Sequence, residues 1–382
     1  MHGQRIYRFL ISAVLTFTSS AFAKTLYVGT CHTPSYNTIS DAVAAATAGD
    51  TIDVCPGTYA EQVFIYQQIT LQGITSSGGD RARIVVPTNP FGGPTTWQFV
   101  TDPYSGNQVA PQVFVSSTAT TPVKITNLTV DGTGEVGAPG CGTAGFWNTV
   151  GIDSWTSVTI EDVNTIGQGQ TSCGYGIYAE QAVATIAPSV TIENSSVQTP
   201  SISGIELYAP SPGLGMTVSV TGNTVQMSGL STTALDYSGV TGKISSNTVL
   251  TASTATLAGG MFDEGYSSLT ISGNVVISTL PPGNTLTGIL INAVTDTVTY
   301  SDNKIVGFYY GIDWLGAPAE LTLKDNSIVN SQTAIALDCS SPTLSGNTIN
   351  NATYGFDQVP SGFSTTGTSF YNVNQFIEST CP

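Results

Sequence analysis

A short phrase of a small residue, an apolar residue and an acid recurs along the chain, and its acids are the residues best suited to chemistry. Glu206, Asp236 and Asp263 end three such phrases. Side chains alternate between the two faces of a strand, so an apolar residue that points inward leaves the next residue pointing outward. The copies therefore predict one external column: Asp153, Tyr178, Glu206, Asp236, Asp263, Leu290, Asp313, Ala336 and Asp357.

Stacked carboxyl groups in this column would have the spacing that hydrolysis of a glycosidic bond requires. Neighbouring strands lie about 4.8 Å apart, and retaining glycosidases hold their two carboxyl groups about 5 Å apart. Alternate strands, about 9.6 Å apart, lie close to the upper limit for inverting enzymes. We therefore take Glu206, Asp236 and Asp263 as candidate catalytic residues.

Two other interpretations of these acids stay open. Ca²⁺ prefers clustered carboxylate and carbonyl oxygens, so Glu206, Asp236 and Asp263 are also a candidate Ca²⁺ site, and Ca²⁺ is the one cofactor that the pattern favours. Alternatively, the column is a solvated face that keeps the protein soluble and resists edge aggregation. Like charges at this spacing repel by roughly 3 kcal/mol at an effective dielectric constant of 20, so we expect something to compensate them.

Aromatic residues lie near the column and suit a sugar ligand. The C–H faces of sugars pack on aromatic rings, while their hydroxyl groups bond to acids. The loops before the acid-bearing phrase are long early in the chain, and long loops on a rigid scaffold often carry binding residues. The candidate substrate-binding residues are Asp153, Trp155, Tyr178, Tyr208, Tyr237, Glu264 and Trp147. The alternative is that several of these aromatic residues only fill the core.

The strands that would position these residues belong to a repeat. A phrase of the form apolar-x-apolar-x-x-Asn-x-apolar, as in Val218–Val225, recurs in nine copies at intervals of 21 to 35 residues. Each unit holds at least two short strands rich in Val, Ile and Thr, without a competing helical period. Units of this length stack best as the coils of a parallel β-helix.

The asparagine of the repeated phrase has a structural explanation in such a solenoid. If the coils are in register, each amide can donate to and accept from the equivalent amide of the next coil. The sequence therefore predicts a buried asparagine ladder of six residues: Asn223, Asn247, Asn274, Asn303, Asn326 and Asn347.

The opening of the mature chain resembles a known family. The segments that carry the likeness are Tyr36–Ala46, Gly49–Val63 and Ile69–Gly73. They are similar to the start of right-handed parallel β-helix proteins of the pectin lyase-like superfamily, in which the alanine-rich segment is a helix that caps the solenoid. We expect an all-β, single-stranded, right-handed parallel β-helix of about ten coils. Its expected parts are a domain over 24–382, a capping helix at about 38–47 and an insertion at about 74–122.

The resemblance implies the fold more clearly than a reaction, because the family includes lyases, hydrolases, esterases and noncatalytic surface proteins. The signatures of polygalacturonases and pectin esterases are missing, and no basic residue falls in the acid-bearing phrase as a lyase would need. We expect a protein that binds an extracellular polysaccharide and hydrolyses it through the acidic column. The alternative is a noncatalytic adhesive or structural module.

Composition and the amino terminus indicate where the protein works. The 382 residues carry a formal net charge of −16, which argues against nucleic acid as a partner. Arg5 and Arg8, the apolar run Phe9–Phe17 and the sequence Ala21–Ala23 form a signal peptide over 1–23. This apolar run is too short to span a membrane. We expect a monomer that is secreted, periplasmic or on the cell surface.

Six cysteines follow the signal peptide, and an even number in an exported chain favours disulfides. Each expected pair lies near one end of the solenoid or in one loop-rich region. The expected pairs are Cys31 with Cys55, Cys141 with Cys173, and Cys339 with Cys381.

Overall fold

The structure is a computed structural model, and it is a solenoid of short parallel strands. It describes residues 23–75, 81–87, 97–116, 121–134, 148–169, 173–183, 185–198, 202–210, 215–229, 233–253, 259–265, 268–281, 284–292, 297–316 and 320–381. The predicted signal peptide except for Ala23, parts of the insertion at 74–122, Cys141 and Trp147 lie outside these residues.

Every coil contributes a strand to a first face, which is a 12-stranded parallel sheet. Its strands are short and alternate buried apolar residues with exposed ones, as the repeated phrase predicts. In spatial order they are β1 (Thr25–Val28), β2 (Thr51–Val54), β5 (Thr70–Gly73), β9 (Val123–Thr126), β12 (Val158–Glu161), β15 (Ser189–Glu193), β18 (Met216–Thr221), β21 (Val240–Ser245), β24 (Ser268–Ser272), β27 (Val298–Ser301), β30 (Leu321–Lys324) and β32 (Thr343–Ser345).

The remaining strands pair in two further stacks. The second face contains β3 (Gly57–Ala60), β6 (Ala82–Val85), β10 (Leu128–Asp131), β13 (Asn164–Ile166), β16 (Ser196–Gln198), β19 (Thr224–Gly229), β22 (Thr248–Ser253), β25 (Val275–Ser278) and β28 (Lys304–Val306). The third face contains β4 (Val63–Ile65), β8 (Gln108–Val115), β11 (Asn148–Ser154), β14 (Cys173–Glu180), β17 (Ser203–Tyr208), β20 (Thr233–Ser238), β23 (Met261–Glu264), β26 (Thr287–Asn292) and β29 (Tyr310–Leu315). Three long strands pair with both stacks: β31 (Ser327–Ala336), β33 (Asn347–Asp357) and β34 (Thr368–Ile377). A short strand, β7 (Val100–Thr101), pairs antiparallel with β8.

The core fills the inside of the solenoid with apolar side chains from all three faces. On the third face, Ile177, Ile205 and Leu235 are successive partners in the ladder and are all buried. This inward row is the apolar position of the small-apolar-acid phrase. The predicted all-β parallel β-helix is confirmed.

The small residue of that phrase lies where a side chain would collide with the next coil. A Cβ atom on Gly176 would lie 2.3 Å from Cγ1 of Val197 and 2.6 Å from the carbonyl oxygen of Gly204. Such distances are too short for van der Waals contact, so only the smallest residues fit at this entry to the third face.

The predicted asparagine ladder is confirmed, and its six side chains are at most 1% exposed. The Nδ2 of Asn247 donates to Oδ1 of Asn274 (3.0 Å) and to the carbonyl oxygen of Val220 (3.0 Å). The Oδ1 of Asn247 accepts from the backbone N–H of Asn223 at 2.9 Å. The ladder thus satisfies polar groups that have left the sheet hydrogen bonds at a buried turn.

We expect Asn274→Ala to destabilise the fold by about 2–4 kcal/mol, because it leaves buried groups of Asn247 and Ile244 without their hydrogen bonds. Asn350→Ala is a suitable control, since Asn350 is partly exposed on β33. Urea unfolding followed by circular dichroism measures both free energies. Equal midpoints for the two variants would show that the ladder contributes no special stability.

A helix caps the amino-terminal end, as predicted. It is α1 (Ile39–Ala45), and the side chain of its N-cap residue Thr38 accepts from the backbone N–H of Asp41. Ile39, Val43 and Ala46 are all buried against the solenoid. The carboxylate of Glu61 accepts from the backbone N–H groups at the start of the helix at 2.8 and 2.9 Å, so the first coil satisfies donors that have no partner within the helix.

Two of the three expected disulfides are confirmed, Cys31 with Cys55 and Cys339 with Cys381. They lie at the two ends of the solenoid. Cys173 is also disulfide-bonded, while its expected partner Cys141 lies outside the described residues, so that pairing stays a prediction.

No helix within the described residues is long and apolar enough to cross a membrane.

Candidate functional site

The predicted external column exists on the third face through most of its length. In the ladder, Asp153 pairs with Tyr178, Tyr178 with Glu206, and Glu206 with Asp236. Leu290, Asp313, Ala336 and Asp357 continue the column further along the solenoid. Glu206 and Asp236 are both partly exposed, so the two carboxyl groups lie side by side at the surface.

The prediction that Asp263 extends this column is wrong. Asp236 pairs with Phe262, and Asp263 pairs with Tyr237 on the inward row. The reason is that Gly260 is the small residue of this coil, since a Cβ there would lie 2.0 Å from the carbonyl oxygen of Gly288. In this coil the small, apolar and outward residues are therefore Gly260, Met261 and Phe262. Aligning the coils by their acids instead shifts strand β23 by one residue.

Asp263 and Tyr237 belong to a polar cluster inside the solenoid. Both are fully buried, and the hydroxyl of Tyr300 donates to Oδ2 of Asp263 at 2.9 Å. The hydroxyl oxygens of Tyr237 and Tyr300 are 3.4 Å apart. The predictions of a catalytic Asp263 and a substrate-binding Tyr237 are therefore wrong, because neither side chain lies on the outer surface.

The predicted Ca²⁺ site at Glu206, Asp236 and Asp263 is also wrong. Glu206 and Asp236 face outward while Asp263 faces the core, so the three carboxylates do not converge on one ion. Within the described residues, no group of three or more His, Cys, Asp or Glu side chains is arranged to hold a metal ion.

A second outward row lies two residues further along the same strands. Glu180 pairs with Tyr208, Tyr208 with Ser238, and Ser238 with Glu264. Tyr208 and Glu264 therefore lie beside the carboxyl pair as predicted. Trp155 is partly exposed and packs edge-on against Phe114, with ring centroids 4.9 Å apart.

The β7–β8 hairpin of the insertion covers one side of this surface. The ring of Tyr104 packs edge-on against Tyr208 with centroids 5.7 Å apart, and its hydroxyl donates to the carbonyl oxygen of Gln181. Asp102 is buried at the tip of the hairpin, where its Oδ1 accepts from the backbone N–H of Tyr104 at 2.8 Å. The insertion therefore contributes side chains to the site.

Tyr178 lies between the hairpin and the solenoid. Its hydroxyl oxygen is 3.3 Å from Oε2 of Glu180 and 3.5 Å from Oδ2 of Asp102. Its ring stacks on Tyr175 with centroids 5.2 Å apart. Although Tyr178 was predicted to contact substrate, it is 6% exposed and mainly holds these acids in place.

We call the group formed by Glu206, Asp236 and Glu264 at the surface and by the buried Asp102 and Glu180 beside them the acidic face. Sequence reasoning missed Asp102 and Glu180. Glu180 had an available signal, since it lies two residues after the column position Tyr178 on the same strand and must point to the same side. Asp102 had none, because a hairpin in an insertion has no repeat to align with.

Burial changes the protonation of the acidic face. It raises the pKa of Glu206 to about 7, with the charges of Asp102 and Glu264 adding to the rise. It also raises the pKa of Asp236 well above its usual range, and the charge of Glu206 raises it further. A shared proton near neutral pH therefore relieves the repulsion between the two carboxylates.

Burial also raises the pKa values of the acids that lie near the β7–β8 hairpin. Burial raises the pKa of Glu180 to about 9, together with the charges of Asp153 and Asp102. Asp153 is fully buried, and burial together with the charge of Asp102 raises its pKa well above the usual range. Neither of its oxygens has a hydrogen-bond partner within the described residues. Asp153 is thus too deep to contact a polymer directly, contrary to its predicted role in substrate binding.

Comparison with known proteins agrees with the architecture. The family described as "Right handed beta helix region" matches residues 113–328, which is more than half of the chain. The protein belongs to this right-handed β-helix family. The matched segment contains Glu180, Glu206 and Asp236, so the carboxyl pair lies within the family's repeats.

Three solved structures resemble this one at low sequence identity. A GH136 lacto-N-biosidase from Eubacterium ramulus aligns with a TM-score of 0.51 and 12% identity, covering 94% of this chain and 67% of that one. The catalytic domain of a GH87 alpha-1,3-glucanase aligns with a TM-score of 0.43 and 14% identity, covering 94% and 66% of the two chains. Tailspike protein 3 of bacteriophage CBA120 aligns with a TM-score of 0.37 and 11% identity, covering 89% and 58%.

The likeness to the lacto-N-biosidase shows the fold alone, and this chain covers 67% of that protein's length. No curated protein sequence matches this chain significantly.

Proposed function

We propose that this β-helix protein hydrolyses an extracellular polysaccharide at the acidic face and retains the configuration at the anomeric carbon. The observation that carries the proposal is the direct pairing of Glu206 with Asp236 on adjacent parallel strands. Adjacent strands are about 4.8 Å apart, which is close to the ~5–5.5 Å between the carboxyl groups of retaining glycosidases.

We assign the acid role to Asp236, because the charge of the neighbouring Glu206 favours the protonated form of its carboxyl group. Asp236 donates that proton to the glycosidic oxygen as the leaving sugar departs. Glu206 in its ionised form attacks the anomeric carbon and forms a glycosyl ester with the protein. Asp236 then removes a proton from water, and this water cleaves the ester and regenerates Glu206.

The electrostatics of the acidic face favour a neutral polymer. The charges that raise the pKa values of Glu180, Glu206 and Asp236 all come from other acids. A polymer of uronic acids or sulfated sugars would meet like charge, as it would over a protein with a net charge of −16. Tyr208 and Tyr104 offer aromatic rings beside the pair for the C–H faces of neutral sugars.

We further propose that the protein works outside the cytoplasm as a monomer. Two disulfides at the ends of the solenoid and the signal peptide pattern at 1–23 support export. The cell surface, the periplasm and the medium are all places where such a polymer would be met.

The function is tested by incubating the mature protein with purified neutral polysaccharides, including β-glucans, α-glucans, xylan, mannan and galactan, with polygalacturonate as the anionic control. We expect new reducing ends from at least one neutral polymer, no product from polygalacturonate and no absorbance from unsaturated sugars. Unsaturated products would show lyase chemistry instead. No product from any polymer would favour a binding or structural module.

A further inference from the structure

A concave surface lies in the carboxy-terminal coils, away from the acidic face. It is a cavity of about 600 Å³, within the ~300–1,000 Å³ typical of ligand sites. None of the described residues that line it is charged. Its main lining residues are Asn284, Tyr309, Asn330, Gln332, Asn351 and Asn372, and we call it the amide groove.

The groove forms in the coils where no loop separates the strand of the second face from the strand of the third face. Strands β31, β33 and β34 run from one face to the other without an inserted loop. Leu280 and Asn284, which lie between β25 and β26, form a wall beside them. The side chain of Asn284 fixes this wall by donating to the carbonyl oxygens of Pro281 (3.2 Å) and Gly307 (3.0 Å).

Two rows of polar side chains form the floor. In the first row, Asn330, Asn351 and Asn372 occupy one turn position in successive coils, and Nδ2 of Asn351 donates to Oδ1 of Asn330 at 2.6 Å. In the second row, the hydroxyl of Thr353 donates to Oε1 of Gln332 at 3.1 Å. The three asparagines remain exposed, so their amides can also reach a ligand.

Backbone conformation alone does not explain the uncharged floor. Asn330, Asn351 and Asn372 have φ of 59°, 55° and 50°, a left-handed conformation that asparagine tolerates well. However, Asp302 and Asp325 adopt φ of 57° and 53° at other turns of the same solenoid. The left-handed turns therefore do not by themselves require an amide side chain at these positions.

We propose that the amide groove binds a segment of a neutral oligosaccharide. An amide presents a donor and an acceptor side by side, which matches the neighbouring hydroxyl groups of a sugar. Tyr309 is partly exposed at the wall and is held edge-on by Tyr310, with centroids 4.8 Å apart, so its ring can pack against the C–H face of a sugar. The groove offers no cation to pair with a uronate or a sulfate.

This site is independent of the proposed hydrolysis. Four strand steps separate Asp236 on β20 from β31, which is about 19 Å along the solenoid. The two surfaces share no lining residue. Variants can therefore remove one site and leave the other intact.

Isothermal titration calorimetry with neutral pentasaccharides of glucose, xylose and mannose, and with pentagalacturonate, tests the groove. We expect at least one neutral pentasaccharide to bind and pentagalacturonate not to bind. The double variant Asn351→Gly, Asn372→Gly is expected to raise the Kd at least tenfold. Glycine accepts the same positive φ without strain, so this variant removes the amides and keeps the turns.

Matched controls separate the groove from the rest of the molecule. Asn194→Gly removes an exposed asparagine with a φ of 50° at a distant turn and should leave the Kd unchanged. Tyr309→Leu should weaken binding. The proposal is overturned if no neutral pentasaccharide binds at millimolar concentration, if pentagalacturonate binds as well as the neutral sugars, or if the double variant binds like the wild type.

Discussion

Asp236→Asn is expected to lower kcat by about 10²–10⁴-fold, the usual contribution of a general acid. The amide cannot protonate the leaving oxygen, while its shape and its place beside Glu206 are kept. An aryl glycoside with a good leaving group needs no such proton in the first step, so its kcat/KM should fall far less. Its kcat should still fall, because Asp236 is also the base of the second step. Steady-state kinetics on the polymer and on the aryl glycoside measure this difference.

Asp313→Asn is the matched control for this experiment. Asp313 lies in the same outward column three strands further on, and burial raises its pKa to about 6. It resembles Asp236 in environment but has no acid beside it in the ladder, where its partners are Leu290 and Ala336. If Asp313→Asn loses as much activity as Asp236→Asn, or if Asp236→Asn keeps most of its kcat, the assigned role is wrong.

The stability of the protein should fall as the pH rises from about 5 to 9. The folded pKa of Glu180 is about 9, against about 4.3 in an unfolded chain. The folded state therefore binds the proton more tightly, and its stabilisation is complete below the unfolded pKa and is lost as the pH rises towards the folded one. Each unit of difference corresponds to about 1.36 kcal/mol, so even a part of this shift destabilises the protein by on the order of 2 kcal/mol at pH 9.

Glu180→Gln should remove much of this pH dependence. Glutamine keeps an oxygen that can accept from the hydroxyl of Tyr178, and it buries no charge at high pH. We expect the variant to be more stable than the wild type at pH 9 and to have a flatter profile of unfolding free energy against pH. Glu193→Gln, at a partly exposed position on β15, is the control. If the slope of unfolding free energy against pH is unchanged in Glu180→Gln, the carboxyl group of Glu180 is not the source of the pH dependence.

The fold could be predicted because every coil repeats the same physical requirement. The ladder asparagines, such as Asn247 and Asn274, must satisfy one another in each coil, so their spacing gives the register of the first face directly. The helix cap at Thr38 follows from an equally local signal, and the two end disulfides follow once the solenoid places both cysteines of a pair at one end. Local and repeated constraints of this kind are visible in one sequence.

The site could be predicted only in part, because register on the third face depends on packing. Gly204 and Ile205 lead correctly to Glu206, whereas the same reasoning placed Asp263 outside when Gly260 puts it inside. A shift by one residue reverses the side that a strand residue faces. Aligning the coils by the residue that must be small is therefore safer than aligning them by the residue that could be functional.

The hairpin over the acidic face could not be predicted at all. Asp102 reaches Tyr178 through a contact between residues 76 positions apart, and the insertion that carries it has no counterpart in the other coils. The hairpin nonetheless affects the acids beneath it. Burial and the charge of its residue Asp102 raise the pKa values of Asp153 and Glu180.

The most direct test of the account is the anomeric configuration of the first product from a polymer that the protein cleaves. Proton NMR in the first minutes, before mutarotation, distinguishes the two anomers. The pairing of Glu206 with Asp236 at one strand spacing predicts that the new reducing end keeps the configuration of the cleaved bond. Inversion would contradict the account, because it requires carboxyl groups about 6.5–9.5 Å apart and therefore a different pair of acids.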